Sequence, residues 1–216
     1  MAILTSNRIF MLSKNKIYLA SKSISRQSLL KESHMPFTVL DQDIQELEIN
    51  PNVSLEENVK KIALSKIEQV SFESGYEGEI RFVLTADTLG QDYNQTFLGK
   101  PKDYDHAVSM LKNTHQQINI CTTAFCVDKR IYTTNQWIVL KREVRSISSE
   151  YIFHVPDQYI DFYIKNSNAL KASGAITIEG IGMQFLKYIN GSYSAVLGLP
   201  LFQLREVLES LGFFQD

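Results

Sequence analysis

The chain has 216 residues, 44% of them apolar and 21% charged, which is typical of a globular protein whose core fills one domain or two lobes around a cleft. Its 22 basic and 24 acidic side chains give a net charge of −2, which excludes bulk electrostatic attraction to nucleic acid or to an anionic membrane surface. No segment reads as a membrane span, and residues 1–16 lack a full signal-peptide pattern, so the sequence predicts a cytoplasmic protein.

The first predicted elements are a short buried strand over residues 17–20 and a helix over residues 26–33, separated by a serine-rich turn. Backbone N–H groups at a helix start attract anions, and the turn adds hydroxyl groups and two cations. These side chains are Ser21, Lys22, Ser23, Ser25 and Arg26. The alternative is that one serine is only the helix N-cap. The glycines of a P-loop are absent, so this turn is not that motif.

A second helix is predicted over residues 55–71, and it begins at the capping box formed by Ser54 and Glu57. Apolar residues then recur at helical spacing: Val59, Ile62, Ala63 and Val70. Lys66 lies on the same face as these apolar residues. Its ammonium must therefore reach solvent at the helix edge, pair with a buried carboxylate, or face a polar cleft that needs a positive charge.

Three further polar residues are candidates for a site. Asp87 follows a strand predicted over residues 81–85, where sheet proteins often place ligand-contacting groups, although it could also be a simple turn residue. Lys100 lies in a stiff loop between a glycine and a proline, or is an ordinary exposed lysine. Glu46, in the acidic segment 41–48, could supply a carboxylate to a divalent cation or belong to a solvated loop.

The remaining pattern mixes strands and helices without strict alternation. Strands are predicted over residues 118–127, 131–140, 143–147 and 184–189, and helices over residues 103–112, 157–165 and 200–211. Cys121 and Cys126 are an odd number of residues apart in one strand, so they point to opposite faces and a disulfide is not expected. The pattern predicts an α/β or α+β fold with a mixed twisted sheet, packed helices and a cleft between two lobes.

Taken together, the hydroxyls, cations and carboxylates suit hydrolysis of a phosphoanhydride, in which catalysis is mostly positioning and electrostatics. The joint order of six segments over residues 16–212 then resembles the Maf family of nucleoside triphosphate pyrophosphatases. These segments are LASKSISR at 19–26, ALSK at 63–66, ADT at 86–88, GKP at 99–101, EGIG at 179–182 and VLGLP at 196–200.

The resemblance implies cleavage between the α- and β-phosphates of a nucleoside triphosphate, which releases a nucleoside monophosphate and diphosphate with Mg²⁺ or Mn²⁺ as cofactor. It also implies one Maf-like domain over residues 16–216 after an N-terminal extension of residues 1–15, a Maf/ITPase-like fold with a central nucleotide-binding cleft, and a homodimer. No nucleic-acid or membrane partner is expected.

Site roles follow by position from the same resemblance. Asp87 is expected to accept the proton of the attacking water, and Glu46 and Asp87 to hold the metal. Lys66 and Lys100 are expected to bind phosphate. The remaining substrate-binding positions are Ser21, Ser23 and Arg26, which are expected to cradle the triphosphate.

The chain also departs from the usual pattern of the family. Ile24 replaces a proline, and Ser25 stands where members carry arginine or tryptophan. Thr88 matches the dTTP/UTP enzymes, whereas Glu179 matches those acting on 7-methyl-GTP, so both substrate types stay open. The altered turn motivates a second hypothesis, a catalytically weak nucleotide-binding regulator of cell division and septum formation. A nucleic-acid-binding module is a third hypothesis, and the slightly acidic charge argues against it.

Overall fold

The computed structural model describes residues 14–45 and 47–215, and that part of the chain forms a mixed sheet of seven strands. In chain order they are β1 Ile17–Leu19, β2 Phe37–Val39, β3 Ile80–Gln91, β4 Phe97–Leu98, β5 Asn119–Thr133, β6 Gln136–Phe153 and β7 Leu186–Asn190. Across the sheet the order is β2-β1-β3-β5-β6-β7, and β4 pairs with β3 outside this path. Pairs β1–β2 and β1–β3 are parallel and all other pairs antiparallel, which confirms the predicted mixed sheet.

Six α-helices accompany the sheet within the same residues. They are α1 Ile24–Glu32, α2 Leu55–Glu68, α3 Tyr104–Asn113, α4 Ile160–Asn166, α5 Tyr193–Val196 and α6 Leu201–Ser210. The side chains of Ser54 and Asp103 accept hydrogen bonds from backbone N–H groups at the starts of α2 and α3, which explains why both helices begin close to their predicted positions. None of the helices in the described ranges has both the length and the apolar character needed to cross a membrane.

The two sheet faces bury different helices. On one face α1 and α6 pack against the central strands, through Leu19, Leu30, Leu84, Phe125 and Leu204. On the opposite face α2 packs against β3 and β5, through Val59, Ile62, Ala63, Leu89 and Ala124. Because side chains alternate along a strand, even-numbered residues of β3 face α1 and α6, and odd-numbered residues face α2.

A further apolar core lies between α3, α4 and the later part of the sheet, and it includes Leu111, Phe153, Tyr163 and Phe185. It gives the molecule its second lobe. The cysteines agree with the prediction: Cys121 belongs to this core, Cys126 lies in a cluster on the α2 face, and both are free. Burial raises the pKa of each thiol to about 12, so both are protonated at neutral pH.

The strand predictions over residues 118–147 were wrong in number and in extent. The three strands predicted over residues 118–147 are two long strands, β5 and β6, joined by a tight turn in which Thr134 and Asn135 have φ of 50° and 60°. The pairing of β5 with β6 shifts register between Lys129 and Arg130, opposite residues 139–141. A bulge of this kind interrupts the alternation of side chains, which is why the pattern looked like a strand end there.

Candidate active site

The site forms where β1 ends and β3 continues. Leu19, the last residue of β1, pairs with Leu84, whereas β3 runs on to Gln91. Residues 85–91 of β3 therefore have no β1 neighbour, and β4 pairs only with Gly90 and Gln91 of this segment. Asp87 was predicted to lie at the end of its strand. It lies inside β3, and the early end of β1 is what opens the sheet there.

Lys66 and Asp87 form an ion pair on the α2 face of the sheet. Lys66 Nζ lies 2.6 Å from Asp87 Oδ1, and the two side chains are 9% and 14% exposed. The hydroxyl of Thr85 donates to the carbonyl of Ala63 at 2.7 Å, which fixes α2 against β3 close to this pair. Of the three explanations for a lysine on an apolar helix face, the structure shows pairing with a carboxylate at the edge of the core.

Arg26 lies on the other face of β3 and is 8% exposed. Its Nε donates to the carbonyl of Gly198 at 2.8 Å, Nη1 to Ser21 Oγ at 3.0 Å and Nη2 to Thr88 Oγ1 at 3.2 Å. The planar guanidinium is thereby held by a turn, a strand and a glycine carbonyl. Gly198 has φ of 112°, a conformation that glycine adopts without strain.

The serine-rich turn supplies the start of α1. The Ser23 hydroxyl caps the helix by accepting from the Arg26 N–H at 3.5 Å, so the N-cap explanation holds for this serine. Ile24, which replaces the family's proline, is the first residue of α1 and is 75% exposed. Ser25 Oγ donates to Glu179 Oε1 at 3.1 Å, so the turn also contacts the segment after α4.

Glu179 also influences a neighbouring aromatic hydroxyl. Burial, followed by the negative charge of Glu179, raises the pKa of Tyr193. Tyr193 is therefore a neutral phenol at neutral pH.

Of the two remaining predicted site residues, one lies apart from these contacts and the other is outside the described residues. Lys100 is exposed, and within the described residues its ammonium makes no ion pair. The backbone of its loop is fixed, because Gly174 N–H donates to Gly99 O at 2.9 Å and Ser173 Oγ donates to Leu98 O. Glu46 lies outside the described residues.

The structure adds one residue that the sequence analysis missed. Thr123 of β5 lies directly opposite Thr88, and the two hydroxyl oxygens are 2.8 Å apart. Thr123 also donates to the carbonyl of Ala195 at 2.6 Å. Sequence analysis could have noticed Thr123 as a polar residue on an otherwise apolar strand face. Its pairing with Thr88, however, follows only from the strand register.

Two carboxylates lie at the described part of the site. No cluster of three or more His, Cys, Asp or Glu side chains that could hold a metal occurs in residues 14–45 and 47–215. Asp87 is the carboxylate beside the lysine and Glu179 the one beside the serine turn. The arrangement can thus bind a polyanion through cations and hydroxyls, and it offers a carboxylate that is oriented by a lysine.

Comparisons with known proteins agree with this geometry. A family described as Maf-like protein matches residues 16–211. A dTTP/UTP pyrophosphatase of Alkaliphilus oremlandii is 35% identical over 195 residues, covering 90% of this chain and 95% of the relative. A dTTP/UTP pyrophosphatase of Nitrosospira multiformis is 36% identical over 205 residues, covering 91% of this chain and 94% of the relative.

A third relative, from Fusobacterium nucleatum and also named dTTP/UTP pyrophosphatase, is 32% identical over 195 residues, covering 90% of this chain and 95% of its own length. Similarity of this extent includes every segment that carries the Arg26, Lys66 and Asp87 contacts. The chain therefore belongs to the family of Maf-like proteins.

Proposed function

We propose that this chain is a nucleoside triphosphate pyrophosphatase of the dTTP/UTP type. It hydrolyses the phosphoanhydride between the α- and β-phosphates and releases a nucleoside monophosphate and diphosphate. Family membership and the names of the three relatives support this activity. The observation that carries it is the 2.6 Å contact between Lys66 Nζ and Asp87 Oδ1 at the open part of the sheet.

Asp87 accepts the proton of the attacking water in this proposal. A carboxylate that acts as general base must lie within hydrogen-bond reach of the water and be held in one orientation. Lys66 provides that orientation, since α2 holds its ammonium against one carboxylate oxygen. The same positive charge favours a phosphate group beside Asp87, and it lowers the repulsion between the carboxylate and the substrate.

In this proposal the turn after β1 and the start of α1 hold the phosphates at the open edge of β3, and neighbouring residues contact the base. Ser21, Ser23 and Arg26 lie at the start of α1, whose N–H groups and positive dipole end favour anions. Lys100 is the proposed further phosphate contact, because its exposed ammonium lies on a fixed loop. Thr88, Ser25 and Glu179 are the proposed positions for base selection. Thr88 agrees with the dTTP/UTP type that the relatives support, whereas Glu179 is the carboxylate typical of the 7-methyl-GTP enzymes.

A divalent cation, Mg²⁺ or Mn²⁺, fits this donor set. Mg²⁺ is usually bound by one or two carboxylates together with substrate phosphates, and the Asp87 carboxylate is a ligand of that kind. Asp87 and Glu46 would hold it. When bound, the cation would neutralise charge on the phosphate oxygens. The homodimer and the cytoplasmic location stay predictions, and so does the single domain over residues 16–216.

The test is diphosphate release by the purified protein with Mg²⁺ or Mn²⁺, measured for UTP, dTTP, CTP, GTP and 7-methyl-GTP. We expect UTP and dTTP to have the highest kcat/KM, and Asp87→Asn to lower kcat by at least about 100-fold, because the general base is lost. The matched control is Asp161→Asn, which removes an exposed aspartate that also pairs with a lysine, Lys165, at 2.8 Å. It should keep full activity.

Unchanged turnover in Asp87→Asn would contradict the assigned role. A wild-type protein that binds nucleotides saturably without turnover would instead favour the nucleotide-binding regulator. In that case Ser25→Arg is the variant to examine, because it restores the side chain that most family members carry at the start of this helix.

A further inference from the structure

A chain of hydrogen bonds crosses the sheet beneath the proposed base site. Arg26 Nη2 donates to Thr88 Oγ1 at 3.2 Å, the Thr88 and Thr123 hydroxyl oxygens are 2.8 Å apart, and Thr123 Oγ1 donates to the Ala195 carbonyl at 2.6 Å. The chain thus links α1, β3, β5 and α5. Its two hydroxyl groups belong to residues that face each other directly in the β3–β5 register.

The direction of every bond in this chain is determined by its ends. A guanidinium only donates and a carbonyl only accepts, while a hydroxyl has one proton to donate. The Thr123 hydroxyl donates its proton to the Ala195 carbonyl, so the proton in the bond between the two threonines must come from Thr88. Thr88 therefore donates to Thr123 and accepts from Arg26, and it presents only an acceptor lone pair to a ligand.

The surroundings of Thr123 keep this direction from reversing. Thr123 is 0% exposed, so water does not compete for its hydroxyl. The Ala195 carbonyl also accepts from the Gly198 N–H at 2.9 Å, and the Gly198 carbonyl accepts from Arg26 Nε at 2.8 Å. The bonds close into a ring that begins and ends at Arg26, and in such a network each bond orders its neighbours.

We propose that Thr123 is a positioning residue for base selection: it holds the Thr88 hydroxyl as an acceptor, so that Thr88 selects bases that donate from ring nitrogen N3. This inference rests on the proposed function. Uracil and thymine carry an N3–H donor, whereas N3 of cytosine is an acceptor. A hydroxyl that is fixed as an acceptor can accept a hydrogen bond from N3–H of uracil or thymine. With cytosine, the hydroxyl oxygen and N3 are both acceptors, so no hydrogen bond forms between them.

The test is the affinity of the purified protein for UMP and CMP, measured by isothermal titration calorimetry, since neither probe requires turnover. Thr123→Val keeps the shape of the side chain but removes its hydroxyl, which frees the Thr88 proton to face cytosine N3. We expect wild type to bind UMP more tightly than CMP, and Thr123→Val to lower that ratio of dissociation constants by about 10-fold. Thr123→Ser restores the hydroxyl and should keep the wild-type ratio.

The outcomes separate this inference from the proposed function. Three results would overturn the role of Thr123: equal affinity of the wild-type protein for UMP and CMP, no binding of either nucleotide, or an unchanged ratio in Thr123→Val. An unchanged ratio would place base selection elsewhere, with Glu179 as the next position to test. A ratio that falls in Thr123→Val and is kept in Thr123→Ser supports the role, even if the wild-type protein shows no diphosphate release. If Thr123 had only a structural role, Thr123→Val would weaken the binding of UMP and CMP equally.

Discussion

At the residue scale, Lys66 shows how one side chain can serve both packing and chemistry. Its methylene stem lies on the apolar face of α2, whose neighbouring residues Ile62, Ala63 and Ile67 are buried. Its ammonium reaches Asp87, so the charge is taken out of water only where an opposite charge lies at 2.6 Å. Packing alone does not require a charge at this position, and the proposed role of Lys66 in binding phosphate would account for it.

Lys66→Met tests that role. The variant keeps the side-chain length and the apolar packing but removes the charge, so we expect kcat/KM for UTP to fall by about 100-fold or more, as when one electrostatic donor is lost from a catalytic site. Steady-state diphosphate release measures this, with Lys60→Met as the control, because Lys60 pairs with Glu56 on the exposed side of the same helix. Equal losses in the two variants would contradict a specific role for Lys66.

At the scale of the elements, the position of Lys66 depends on how the last turn of α2 is anchored. The Arg130 guanidinium donates to the carbonyls of Ile67 at 2.7 Å and Val70 at 2.8 Å, which adds side-chain donors at the C-terminal end of the helix. Asp128, fully buried, accepts from Arg130 at 2.9 Å and from Arg142 Nε at 2.7 Å. The network joins β5 and β6 to the helix that carries Lys66.

Arg130→Met should destabilise the protein by about 3 kcal/mol, because it removes the hydrogen bonds that Arg130 donates to the Ile67 and Val70 carbonyls and removes one partner of a buried carboxylate. Urea denaturation followed by circular dichroism measures the change in the free energy of unfolding. Arg205→Met is the control: it breaks the exposed pair with Glu209, and such pairs contribute about 0.5 kcal/mol. A loss below about 1 kcal/mol for Arg130→Met would show that the network does not anchor the helix.

At the scale of the whole molecule, a contact between two histidines joins the second lobe to the end of a sheet strand. His115 follows α3 and His154 follows β6, and their Nδ1 atoms are 2.9 Å apart. Such a contact holds one proton, since one ring nitrogen must donate and the other accept. Burial, and after it the charges of His115 and Lys187, lower the pKa of His154, while Asp157 opposes the shift.

The pair makes stability depend on pH. The folded-state pKa of His154 lies below its unfolded value of about 6.5, so the unfolded chain binds more protons as the pH falls below that value, and the free energy of unfolding decreases. We expect the wild-type Tm to fall more between pH 7.5 and pH 5.5 than the Tm of His154→Gln. Parallel Tm profiles in differential scanning calorimetry would exclude the pair as a source of the pH dependence.

The sequence by itself determined the family, the fold class and most helices, because these depend on local periodicity and on the order of short motifs along one chain. The confirmed N-cap at Ser54 and the buried, unpaired Cys121 and Cys126 are local in the same sense. The roles of the site residues, Glu46 and Lys100 among them, stay predictions.

Only the tertiary structure decided which groups meet. The partner of Lys66 is 21 residues away, that of Thr88 is 35 and that of Ser25 is 154, and no local pattern encodes a contact over such separations. Strand register brings Thr123 beside Thr88, and the early end of β1 exposes Asp87. The physical reason is that a strand's neighbours are set by hydrogen-bonded pairing across the sheet, whereas the sequence records only which side chains alternate along each strand.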